Sequence, residues 1–69
     1  MKFWNKDLKS KADSRVAKME TSALSGWMDN SIMSLGQTFD AWRYHDGTKE
    51  DVSEVLTAIA SIWGELEKR

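Results

Sequence analysis

Between Met28 and Leu66 the apolar residues keep one rhythm. Met28, Ile32, Leu35, Phe39 and Trp42 recur in alternating steps of four and three, and after His45-Asp46-Gly47-Thr48 the rhythm resumes with Val52, Leu56, Ile59, Trp63 and Leu66. Such spacing puts each run on one stripe of a helix, the stripe that packs along a helix–helix seam. Folded back at Gly47, the two runs pair in order, from Trp42 with Val52 beside the turn to Met28 with Leu66 at the open end. The pattern predicts an all-α antiparallel hairpin with helices over about 28–45 and 49–67, in which Leu35 and Ile59 are buried and face each other.

Before the hairpin, Leu8, Ala12, Val16, Met19 and Ala23 also recur at helical spacing, and proline is absent from the whole chain. A first helix over about 5–25 is expected, with Asn5 as N-cap and Asp7 complementing its dipole. Extending the hairpin's rhythm backwards lands on the polar Ser25 and Thr21. The two apolar faces are therefore not continuous, and a break is expected between Ser25 and Ser31, with Gly26 ending the first helix. The hairpin turn carries the clearest local signals. Gly47 suits a left-handed residue after a helix, His45 lies near the last carbonyls, and Thr48 with Asp51 resembles a capping box.

The last helix has more apolar surface than one neighbour covers, because Val55, Ala58 and Ile62 flank its seam. A stripe that wide needs two partners. The second is either the first helix, giving a small three-helix bundle, or another copy of the chain, giving a dimeric bundle of hairpins. Val55 and Ile62 are the expected contact in the dimer. Gly36 and Gly64 are small enough to permit close backbone approach. With 69 residues the chain is a single small domain, in which residues 1–24 could behave semi-independently as a basic amphipathic helix. A core this small usually gains support from disulfides, metals or association. Cysteine is absent and there is one histidine, so association is the route left.

Charge changes the picture at the N-terminus. Residues 1–19 carry a net charge of +4 and the remaining residues −5. On a helical projection the apolar stripe of the first segment is flanked on one edge by Lys11, Arg15 and Lys18 and on the other by Lys2, Lys6 and Lys9. That arrangement suits an anionic membrane surface or nucleic acid approached through residues 2–18, and equally suits lysine stems covering the rim of a bundle. Four tryptophans are present. Trp42 and Trp63 fall on the seam and are expected in the core. Trp4 and Trp27 fall off it and, with Leu8, are candidate partner contacts.

Catalytic chemistry is not indicated. The His45-Asp46 pair has no further histidine to complete a metal site, and phosphate loops, dinucleotide fingerprints and nucleophile elbows are absent. Asp40 and Arg43 form an ordinary helix-surface pair. The sequence therefore predicts a non-enzymatic protein–protein interaction module, a regulator, inhibitor or adaptor, acting without metal, cofactor or small-molecule substrate. It is expected in the cytoplasm, as a homodimer or bound to a foreign protein through Trp4, Leu8, Trp27, Val55 and Ile62. The alternative is a peripheral module docking through the basic face of Lys6, Lys9, Lys11, Arg15 and Lys18.

Overall fold

A computed structural model describes residues 6–69. They form three helices: α1, Lys6–Ala17; α2, Thr21–Tyr44; and α3, Lys49–Lys68. The fold is all-α, and α3 is its centre, packing against both α2 and α1. Asn5 and Trp4 lie outside the described residues, as does the side chain of Lys6.

The hairpin turn forms as the sequence predicts at Thr48, whose hydroxyl accepts from the Asp51 amide at 3.2 Å. Glu50 and Asp51 complement the N-terminus of α3. Gly47 works differently from expectation. No glycine among the described residues has a positive φ. Instead Gly47 is pressed onto the end of α2, where its amide donates to Ala41 O at 3.1 Å. A Cβ there would lie 2.8 Å from the Ala41 carbonyl carbon and the Trp42 nitrogen. Absence of a side chain, and not left-handed backbone, is what the turn requires.

The break between the first two helices falls earlier than the sequence suggests. α1 stops at Ala17, and α2 runs unbroken through Gly26 from Thr21. Lys18 and Met19 close α1 with tight bonds back to Arg15 O and Val16 O. Glu20, the N-cap of α2, makes no side-chain cap. The turn is held from elsewhere. Arg69 donates to Met19 O at 2.7 Å, to Val16 O at 3.4 Å and to Thr21 Oγ1 at 3.0 Å. A cation 50 residues downstream thus satisfies the orphan carbonyls of α1, a contact no local reading of residues 18–30 contains. A Cβ added at Gly26 or Gly36 would meet no described atom beyond their own helix within 4 Å, so neither marks a stop or a close intrachain contact, although each costs about 1 kcal/mol of helix propensity against alanine. Gly64 is likewise open.

The core is one residue from each helix, Val16, Leu24 and Ile62, with Met19, Trp27, Met28 and Leu66 around it. It occupies the end of the hairpin remote from the turn, because α1 has 12 residues against 24 in α2. At the helical rise those lengths are roughly 18 and 36 Å. One short helix cannot cover both halves of a long hairpin. Ile62, expected as a dimer contact, is 0% exposed within its own chain; α1 and α2 cover that surplus. Val55 is half-buried.

Docking α1 also sets the rotation of α2. Its inward residues are Leu24, Ser31, Leu35 and Thr38, while Ile32 is 56% and Phe39 39% exposed. The predicted seam is thus displaced by about one residue, from Ile32 to Ser31 and from Phe39 to Thr38. Leu35 and Ile59 are half-buried, not buried. Small hydroxyl residues, Ser31, Thr57 and Ser61, fill the close contacts instead. Thr57 satisfies its hydroxyl on Ser53 O at 2.8 Å.

Candidate functional site

The hairpin has two faces. On the first, α1 lies beside α3, and the Arg15 guanidinium sits 4.7 Å from the centre of the Trp27 ring. Trp27 is half-buried there, in a cleft with Ser34, Val55 and Ala58. Lys9 bonds Asp13 at 2.7 Å beside Ser61 and Lys68 of α3. The Asp13 carboxyl is held below its ordinary value of 3.8, chiefly by that bond, with partial burial opposing and Lys68 adding attraction. The Ser61 hydroxyl beside it is buried with no partner at hydrogen-bonding geometry, so the polar pull on Asp13 is assigned to Lys9.

These contacts engage one described member of each flank of the basic stripe. Lys9 turns to Asp13 and Arg15 to Trp27, leaving Lys11 and Lys18 exposed. Leu8 is 43% exposed. The residues singled out as partner contacts are therefore not brought together: Ile62 is core, Val55 and Trp27 line one cleft, and Leu8 is not among the residues lining it.

The second face is different. Here the apolar stripes of both helices meet, and among the described residues none packs over them. Phe39 and Trp42 of α2 and Val52 and Leu56 of α3 line a shallow groove with Lys49 and Ser53. The Phe39 and Trp42 rings pack at 5.5 Å between centroids, and Trp42 remains 40% exposed. Arg43 stacks 4.8 Å from the Phe39 ring and donates to Asp40. Ile32 continues this stripe one helical repeat before Phe39, and Trp63, 56% exposed, continues that of Leu56 and Ile59. At half of roughly 200 Å² each, the four most exposed of these side chains present on the order of 400 Å² of apolar surface. That falls in the ~300–600 Å² range of the largest patch on a typical monomer, a patch that is often functional. Its composition, tryptophan and phenylalanine edged by arginine, is that of residues that dominate binding energy when buried.

The sequence does contain this face, in the strongest periodicity of the chain, but as a predicted core. Nothing in the spacing distinguishes a stripe buried against its partner helix from one left beside it. No known protein family, curated protein or solved structure matches the chain. Among the described residues no helix is long and apolar enough to cross a membrane, and no cluster of three metal-ligating side chains occurs.

Proposed function

We propose that this chain is a non-enzymatic interaction module, a small regulator or adaptor that binds protein through the open face of the α2–α3 hairpin. The observation carrying this reading is the exposure of Phe39 and Trp42 in one groove with Val52 and Leu56, with the exposed Ile32 and Trp63 one helical repeat along the same two stripes. Leaving large aromatics in water forgoes about 25 cal/mol per Å² that burial would supply, a substantial loss for a core of three fully buried apolar residues. An apolar centre with a polar rim fits a protein surface better than an anionic lipid or nucleic acid. The basic helix is the weaker candidate, since Lys9 and Arg15 are engaged within the fold.

A photoactivatable phenylalanine analogue at position 39 tests this in the native host. A discrete adduct, with this chain or another protein, is expected on irradiation. The absence of any adduct overturns the reading. So does binding to anionic vesicles or duplex DNA that survives Trp42→Glu and disappears by ~0.5 M salt.

A further inference from the structure

We infer that the occupant of the open face is a second copy of this chain, lying antiparallel across a two-fold axis perpendicular to the hairpin helices. The inference rests on the interaction reading above and names its partner. The charges rimming the face select both partner and direction. At the turn end stand two cations, Lys49 in the groove beside Phe39 and Trp42, and Arg43 over Phe39, the latter already paired with Asp40 so that Lys49 is the unshared charge of the two. At the far end, one helical turn beyond Trp63 and Ile32, stand two exposed acids, Glu67 and Asp29. Lys49 and Glu67 are exposed at opposite ends of α3, and an opposite-charge pair so placed on one stripe complements itself only when reversed. A parallel pair would set Lys49 against Arg43 of the other copy. The antiparallel pair sets Lys49 against Glu67 along α3, and Arg43 against Asp29 along α2.

Two further features fall into the same register. The midpoint of Lys49 and Glu67 is Ala58, and that of Asp29 and Arg43 is Gly36. Phe39 and Leu56 line one groove, and Gly36 and Ala58 each lie within one turn of them on the side away from the hairpin turn, so both midpoints fall close to one level, where the axis would cross. Gly36 is exposed, and an added Cβ meets nothing in its own chain. At the crossing point a glycine has a use, because it lets the two α2 helices approach closely. In this register Trp63 of one copy lies over Ser53 of the other, inside the groove formed by Phe39, Trp42, Val52 and Leu56. An exposed tryptophan thereby meets an apolar groove. About 400 Å² of apolar centre per copy, with its rim, approaches the ~800 Å² per partner of a standard interface.

Sedimentation from micromolar to near-millimolar concentration, on the full chain, tests the inference. The parent should run at about twice 7.9 kDa. Lys49→Glu and Glu67→Lys should each weaken the dimer about tenfold, and the double variant should recover to within about threefold of the parent. The two positions are 18 residues apart on one helix, roughly 27 Å, so such rescue can only act between chains. Gly36→Leu should leave helicity intact while weakening association, which separates loss of the interface from loss of the fold. A parent that stays at 7.9 kDa, or a double variant no better than the singles, overturns the inference. A monomeric parent whose position-39 crosslinker captures a foreign protein overturns it and leaves the interaction reading standing; a monomeric parent with no adduct removes both.

Discussion

Single residues act in this chain through space and through reach. Gly47 and Gly36 share a residue type and have opposite surroundings. A methyl group at Gly47 would meet backbone atoms of Ala41 and Trp42 at 2.8 Å, and a backbone cannot rotate aside as a side chain can. Gly47→Ala should therefore destabilise by about 1–3 kcal/mol. Gly36→Ala, with open space around it, should stabilise the helix by about 1 kcal/mol. Urea or thermal unfolding of the two variants checks both, and equal effects would contradict the geometry. Asp13 gives a pH signature. Its folded carboxyl is more acidic than the unfolded one, because Lys9 favours its charged form. Its contribution is present above the ordinary value of 3.8 and fades as pH falls through the lowered one. Asp13→Asn should remove that part of the acid-induced loss, seen as a shallower decline of melting temperature below pH 4.

At the scale of elements, the three helices are secured in unequal ways. α3 carries its own start signal in Thr48, and Thr48→Ala should cost about 0.5–2 kcal/mol. α2 has no such cap, and the turn before it depends on Arg69. Arg69→Ala should accordingly loosen the junction of α1 and α2 more than the end of α3. Faster amide exchange over residues 18–24 than over 60–68 is the expected pattern, and the reverse pattern would place the anchor elsewhere. The displacement of the α2 seam belongs to this scale too. Two helices alone would set Ile32 and Phe39 against α3. A third helix that inserts Val16 beside Leu24 and Ile62 rotates the contact toward Ser31 and Thr38.

For the whole molecule, the governing fact is a short α1 on a long hairpin. It closes one core, at one end and on one side, and leaves the opposite face apolar. Ile62 is the centre of that core at 0% exposure, so Ile62→Ala should cost about 2–5 kcal/mol, enough to unfold a domain this small. Trp63→Ala, on the open face, should cost the isolated fold far less while abolishing association. A calorimetric comparison that ranks Trp63→Ala as the more damaging in dilute solution would invert this division. Where association occurs, the parent's melting temperature should also rise with concentration, because binding to the folded state alone is linked to stability.

Much of the architecture is decided by the amino-acid order itself. Apolar spacing at the helical period dictates the two long helices, absence of proline allows them, and Gly47 and Thr48 fix where the chain reverses. These are local effects, acting over one or two turns, and they are readable residue by residue. Which stripe becomes core is not local. Ile32, Phe39, Trp42 and Trp63 have the periodicity of buried residues, and Ser31, Thr57 and Ser61 do not, yet their burial is the reverse. That outcome is settled only when α1 docks and Arg69 pins the turn between α1 and α2, contacts spanning some 50 residues. Helical periodicity measures how apolar a face is; only packing against a third body determines whether that face ends inside the molecule or on its surface.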